Sequence, residues 1–186
     1  LPTDPLQHID GKGEIALCIL SAINVGTLKD TKELESLCDL AVRGLEQIID
    51  HQKYPVKAAE VSTKARRSLG IGYIGLAHYI AKNKMKYEEK ESWQLVNELS
   101  EAFQYYLLKA SNQIAKEKGA CDYFKKTKYS KGILPIDTYK KDVDTIVSAK
   151  LNMDWEALRK DIVEHGLRHS TLSAQMPSES SSVVGN

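Results

Sequence analysis

The sequence contains few cysteines and no long apolar run. Its 186 residues include three cysteines, which are far apart, odd in number and without a CxxC pair. This pattern argues against a secreted disulfide scaffold and against a cysteine zinc site. No apolar run approaches the roughly 20 residues that a membrane-spanning helix needs, and no charged-then-apolar signal segment is present. We therefore expect a cytoplasmic chain without a membrane segment. Because it begins at Leu1 and not at a start methionine, we also expect it to lie inside a longer polypeptide.

The chain also lacks an excess of either charge. It has 26 Lys and Arg residues against 25 Asp and Glu residues, a formal net charge of +1. That balance gives no general attraction to nucleic acid or to an anionic membrane, so neither is an expected partner. Hydrophobic residues make up 42% of the chain, which is enough to bury the core of one domain or a large part of one.

The hydrophobic pattern predicts an α/β chain that is rich in helices. The almost wholly apolar run 14–22 has the length and β-branched content of a strand buried on both faces, with Cys18 at its middle. Apolar residues at helical spacing predict three clear helices, 30–51, 89–118 and 154–165. The pattern further predicts a short helix over 137–147, a strand over 170–176 and a last helix that opens after Pro177.

Three glycines, Gly70, Gly72 and Gly75, form a GxGxxG pattern. Dinucleotide binding through this pattern requires a preceding buried strand and an acidic residue about 20 positions later, at the end of the next strand. Here the preceding segment, STKARRSL, is basic and not strand-like. We therefore reject nicotinamide binding. We predict instead a helical region from about Thr63 to Lys84, in which the glycines allow close packing against a neighbour.

Metal and nucleophile motifs are scarce. His165 and His169 stand four residues apart, which could present two imidazoles on one helix face to zinc. Gly166 interrupts the helix between them and no HExxH motif or third ligand is evident, so we predict surface or packing histidines and no metal site. The absence of GxxxxGK[ST] excludes a P-loop, and the absence of GxSxG leaves a serine-hydrolase elbow unsupported.

Two features remain as candidate chemistry. Cys18 could be a reactive thiol, although a cysteine in an apolar strand is usually only a small hydrophobe. Residues 178–182 follow a predicted strand and open a helix, where free N–H groups, the helix dipole and serine hydroxyls favour an anion. The alternative for this segment is a disordered polar terminus, and the carboxylate of Glu179 counts slightly against an anion site.

Five segments, in this order, resemble one family: GEIALCILSAINVG (13–26), ARRSLGIGYIGLAHYIAK (65–82), FQYYLLKASNQIAKEKGAC (103–121), KGILPIDTYKKDVDTI (131–146) and DWEALRKDIVEHGLRHSTLSAQMPSESSS (154–182). They are similar to the large (alpha) subunit of class I, aerobic ribonucleoside-diphosphate reductases of the enterobacterial and phage type. The resemblance covers essentially the whole chain. It implies a ten-stranded α/β barrel made of two half-barrels. Residues 1–186 would then be a fragment of that catalytic barrel domain, without an internal boundary and continuing before and after.

The resemblance also implies roles for particular residues. Cys18 matches the second of the family's two reducing cysteines, which supply two electrons and become a disulfide when the ribose 2′ hydroxyl leaves as water. Ser178, Glu179, Ser180 and Ser181 match the loop that binds the phosphates of the substrate. The radical cysteine of the family, with its Asn and Glu companions, is not in this chain, so we expect the fragment to be inactive alone.

The implied partners are the rest of the large subunit, a radical-generating small subunit with a di-iron centre and a tyrosyl radical, a ribonucleoside diphosphate, and thioredoxin or glutaredoxin. No cofactor is expected in this segment, and the ATP or dNTP effectors of the family bind outside it. The alternative is a non-enzymatic helical interaction module or an inactive fragment, in which Cys18 is core and the serine-rich end is disordered. The two readings differ in whether residues 170–182 form a strand and an ordered helix start beside the Cys18 strand.

Overall fold

A computed structural model describes residues 13–185. Within them the chain forms, in order, β1 (Ile19–Asn24), α1 (Glu33–His51), α2 (Lys57–Arg66), β2 (Leu69–Ile74), α3 (Leu76–Lys82), α4 (Lys90–Lys118), α5 (Pro135–Thr138), α6 (Trp155–His165) and α7 (Glu179–Val184). None of these helices is both long and apolar enough to span a membrane.

The sheet is small and parallel. β1 and β2 pair in register from Ile19 with Leu69 to Asn24 with Ile74, and the crossover between them contains α1 and α2. Parallel strands joined through helices are typical of α/β folds, in which helices cover the sheet.

A third extended segment continues the sheet on the far side of β2. The N–H of Leu69 donates to Thr171 O at 3.0 Å, and the N–H of Ile71 donates to Leu172 O at 2.8 Å. The strand predicted over 170–176 is thus reduced to a single parallel bridge, between Ile71 and Ser173. It is shorter than predicted, but it runs beside β2 as a parallel strand would.

The core lies between α1 and α4. Apolar residues three or four positions apart on each helix face the other helix, and each large aliphatic side chain buried in this way stabilises the fold by about 1.5–3 kcal/mol. The fully buried members are Leu34, Cys38, Val42 and Ile49 on α1, and Leu99, Leu107, Leu108 and Ile114 on α4. α1 also packs against β1 and β2, so the two helices lie on one side of the sheet.

Three predicted helices are confirmed as α1, α4 and α6, with small shifts at their ends. Gly119 and Gly166 follow α4 and α6 with φ of +87° and +81°, a conformation that glycine adopts without strain. Asp154 caps α6, since its side chain accepts from the N–H of Ala157 at 3.0 Å. The short helix predicted over 137–147 is instead α5 followed by a 3-10 turn over Lys141–Thr145.

The first predicted strand needs correction. It begins at Ile19, so Cys18 precedes the strand and is not at its middle. The residues before it turn towards α2, where the N–H of Ile15 donates to Ala58 O at 3.1 Å. The strand is also not buried on both faces, because Leu20 is 49% exposed.

The helical region predicted from Thr63 to Lys84 is confirmed at its two ends, in α2 and α3, and is wrong in its middle, where β2 lies. Arg67 takes a left-handed φ of +50° and ends α2, after which Gly70 and Gly72 lie inside β2. The first two glycines of the GxGxxG pattern therefore lie within a strand, not in the turn after one that dinucleotide binding requires. Gly75, with φ of +76°, is the turn into α3. The glycines do allow close packing, as predicted, but what packs closely is the chain that crosses β2 and not a neighbouring helix.

Candidate functional site

Cys18 lies directly before β1 and is half-buried, as a free thiol. A Cβ placed on Gly70 of the neighbouring strand would be 3.7 Å from Cys18 Sγ and 3.4 Å from Ala174 Cβ. Cys18, Gly70 and Ala174 therefore lie side by side across the three extended segments. Because Gly70 has no side chain, Leu20 Cδ2 takes the place beside it, 2.6 Å from where a Cβ would stand.

The serine-rich segment forms an ordered helix start. The N–H of Ser182 donates to Ser178 O at 2.7 Å, which closes the first turn of α7, and the Ser182 hydroxyl donates to Glu179 O at 2.8 Å. N–H groups in the first turn of a helix have no acceptor within the helix. The side chains of Glu179 and Ser180 are exposed, whereas Ser178 and Ser181 are half-buried. The predicted helix after Pro177 is confirmed.

An open cleft of about 340 Å³ separates this turn from β1. One wall is β1 and the other is the start of α7 with the residues before it. The lining residues are Leu20, Ser21, Ala22, Met176, Pro177, Glu179, Ser180 and Ser181. Three of the four predicted phosphate residues therefore line the cleft beside β1, while Ser178 and Cys18 are not part of its lining. The serine segment is beside the strand that Cys18 precedes, which is the arrangement the enzymatic reading predicted and the helical-module reading did not.

A buried ionic cluster, which the sequence did not reveal, holds the segment that leads to this cleft. Glu46 of α1 is 1% exposed and binds three cationic or imidazole groups. Its Oε2 accepts from Arg67 Nε at 2.8 Å and from His169 Nε2 at 3.0 Å, and its Oε1 accepts from Arg168 Nε at 2.8 Å. Arg168 and His169 stand just before the 171–174 segment, so the cluster anchors the chain two residues before it joins β2.

The electrostatics of the cluster follow from burial and pairing. Burial alone would raise the pKa of Glu46, but hydrogen bonds from His169, Arg67 and Arg168 outweigh it and lower the pKa to about 2. Burial lowers the pKa of His169, and this effect exceeds the opposing influence of Glu46. The neutral imidazole fits its partners: Nε2–H donates to Glu46, and Nδ1 accepts from the Ser111 hydroxyl at 2.9 Å.

The contacts of His169 also decide whether it could bind zinc together with His165. Both ring nitrogens of His169 are engaged inside the core, whereas His165 is at the end of α6 with its side chain 40% exposed. The two imidazoles thus occupy different environments. Among residues 13–185 no group of three His, Cys, Asp or Glu side chains is placed to hold a metal ion.

These elements define an α/β protein with a small parallel sheet, a free thiol ahead of one strand and a serine-rich turn over the same strand. The chain belongs to the ribonucleotide reductase family, and residues 3–186 match its barrel domain. The family resemblance and the α/β fold class expected from the sequence are therefore confirmed.

Three relatives illustrate the match. The ribonucleoside-diphosphate reductase subunit alpha of Haemophilus influenzae is 59% identical over the whole chain, and that of phage T4 is 44% identical over the whole chain. Subunit alpha of reductase 1 from Escherichia coli is 56% identical over 74% of the chain. The aligned part is 25%, 24% and 18% of these relatives, so the chain spans about a quarter of their length or less.

Proposed function

We propose that this chain contributes one part of the active site of a ribonucleoside-diphosphate reductase. Cys18 is one of two reducing thiols, and Ser178, Glu179, Ser180 and Ser181 hold the phosphates of a ribonucleoside diphosphate. The observation that carries the proposal is the cleft between β1 and the serine turn, in a chain of this family.

The serine turn suits an anion for physical reasons. Its free N–H groups, its hydroxyls and the positive end of the helix dipole all favour negative charge. Glu179 lines the cleft, but its side chain is exposed, so water screens its negative charge. Backbone donors then carry most of the recognition, which is independent of the base.

Cys18 suits the reducing step. The substrate loses its 3′ hydrogen to a radical cysteine outside this chain, and the 2′ hydroxyl leaves as water. Cys18 and a second thiol from elsewhere in the large subunit supply two protons and two electrons and form a disulfide: one proton leaves with the 2′ hydroxyl as water and the other goes to C2′. The radical cysteine then returns the 3′ hydrogen. A thioredoxin-type protein then reduces the disulfide. Closed sites protect such intermediates from water, and the open side of β1 is where the rest of the barrel would close this one.

The remaining parts of the enzyme come from other chains or segments. The rest of the large subunit supplies the radical cysteine and the effector sites for ATP or dNTP, and a small subunit with a di-iron centre and tyrosyl radical supplies the radical. We place the assembly in the cytoplasm. The proposal implies that the chain without these other parts has no turnover.

The test is a reconstitution with the missing large-subunit segments, the small subunit and a thioredoxin-type reductant, following conversion of CDP to dCDP. Cys18→Ser should abolish multiple turnover, because the serine hydroxyl cannot form the disulfide, while the fold is retained. Cys121→Ala is the matched control: Cys121 is buried after α4, its N–H donates to Leu167 O after α6, and it is not among the residues that line the cleft, so its removal should leave turnover intact. Multiple turnover by the Cys18→Ser enzyme would refute the proposal.

A further inference from the structure

The helix that carries the serine turn is short and lightly held. α7 spans six residues, and Val183 and Val184 are 78% and 88% exposed. One side-chain hydrogen bond ties its end to the sheet: Asn24 Nδ2 donates to Gly185 O at 2.9 Å, across 161 positions of sequence. Within residues 13–185 no other hydrogen bond joins α7 or Gly185 to the sheet.

Asn24 is itself fixed in place. It is the last residue of β1, and its Oδ1 accepts from the N–H of Gly26 at 3.1 Å. The Thr27 hydroxyl donates to Asn24 O at 2.9 Å, and the backbone of Gly75 lies against the Asn24 amide so closely that no Cβ fits there. The orientation of the amide is therefore determined on both sides, since Gly26 offers a donor and Gly185 an acceptor.

We propose that Asn24 is a positioning residue for the phosphate-binding turn, acting through α7. The inference rests on the function proposed above. A six-residue helix is only about 9 Å long, so a hydrogen bond to Gly185, directly after its last residue, limits how far its first turn can move from the sheet. Pro177 precedes the other end, at the cleft. Asn24 thus sets the distance between the serine turn and β1, and with it the width of the cleft that receives the phosphates.

The variant Asn24→Asp separates the two hydrogen bonds. The carboxylate still accepts from Gly26 but presents an oxygen to the carbonyl of Gly185, so only the tie to α7 is lost. Thr27→Val is the matched control, because it removes a hydrogen bond from the same turn and leaves the Gly185 contact alone. Both variants are placed in the reconstituted reductase, and their KM and kcat for CDP are measured. Hydrogen exchange at the amides of Ser182 and Gly185, which close α7, is measured in parallel.

Asn24→Asp should speed exchange at both amides and raise KM by roughly three- to tenfold, the loss expected for one ordering hydrogen bond, with kcat within about twofold of the parent. Thr27→Val should change neither. Unchanged exchange in Asn24→Asp would overturn the proposal, as would faster exchange with an unchanged KM or an equal change in Thr27→Val. Turnover by the Cys18→Ser enzyme would instead refute the proposed function. Hydrogen exchange in Asn24→Asp would still test whether the Asn24–Gly185 hydrogen bond holds α7.

Discussion

At the scale of single residues, the buried cluster makes stability depend on pH. The pKa of Glu46 is lowered to about 2, so its contribution is present above its ordinary pKa near 4.5 and is lost as the pH falls towards 2. The pKa of His169 is lowered from 6.5, so the unfolded chain takes up a proton first, and its contribution is lost as the pH falls below 6.5. Both groups therefore destabilise the fold in acid, in two successive ranges.

We expect the free energy of unfolding, measured by urea titration, to fall between pH 7 and pH 5 and to fall further below pH 4.5. His169→Asn should remove the loss between pH 7 and pH 5, because no group at that position can then take up a proton. The control is His51→Gln on α1, whose imidazole is exposed and donates through Nδ1 to Gln47 O at 2.8 Å. This variant should still show the fall in the free energy of unfolding between pH 7 and pH 5. A flat profile from pH 7 to pH 5 in the parent would contradict this assignment.

The cluster also shows why the contacts of some residues could not be predicted from the sequence. Glu46 is next to the apolar stripe of α1. Its position in the helical pattern alone predicts a carboxylate that is exposed to solvent. Its partners Arg67 and Arg168 lie 21 and 122 positions away, and only the packed fold brings them together. By contrast, Cys18 and the serines could be singled out because a thiol in an apolar run and serines after a proline each suggest a local chemistry. Their assignment to catalysis and phosphate binding stays a prediction.

At the scale of elements, the glycines of β2 permit the close crossing that brings the chain to the serine turn. A Cβ on Gly72 would lie 2.5 Å from Ala174 O, 2.8 Å from Met176 Sδ and 3.0 Å from Gln175 Oε1. The carbonyl of Ala174 and the side chains of Gln175 and Met176 therefore occupy the place of a side chain. Any residue larger than glycine would lift this segment off the strand.

Gly72→Ala should thus destabilise the fold by about 1–3 kcal/mol, the usual cost of overpacking. Gly44→Ala is the matched control: Gly44 lies within α1, and a Cβ there meets nothing within 4 Å. That substitution should stabilise by about 0.5–1 kcal/mol, because alanine is the better helix former. Urea unfolding of the two variants measures the difference. Equal effects, or a neutral Gly72→Ala, would rule out the close crossing.

The same glycines explain which elements could be predicted. Helices α1, α4 and α6 have apolar stripes at helical spacing, and α4 and α6 also end at glycines, so these local patterns suffice. β2 has two glycines in six residues, which weaken any strand pattern, and its strand character comes from pairing with β1 fifty positions earlier. The misplacement of the 63–84 region as helix follows from that dependence on distant partners.

At the scale of the whole molecule, the chain is about a quarter of its relatives and leaves apolar surface uncovered. Within residues 13–185 no strand pairs with the outer edge of β1, and Leu17 and Leu20 are 43% and 49% exposed. An unpaired strand edge beside apolar side chains is a template for association with other chains. In a complete barrel those groups would be covered by neighbouring strands.

We therefore expect the isolated chain to associate at micromolar concentration, seen as a rising scattered mass in light scattering. Leu17→Lys, which places a charge beside the open edge without entering the cleft lining, should reduce that association. Leu40→Lys is the control, because Leu40 is 69% exposed on α1, away from the sheet edge, and should leave the association largely unchanged. Adding the remaining large-subunit segments should suppress association of the parent chain, since they cover the same edge. A stable, monodisperse monomer would show that the edge is already protected and that the chain is a self-sufficient unit.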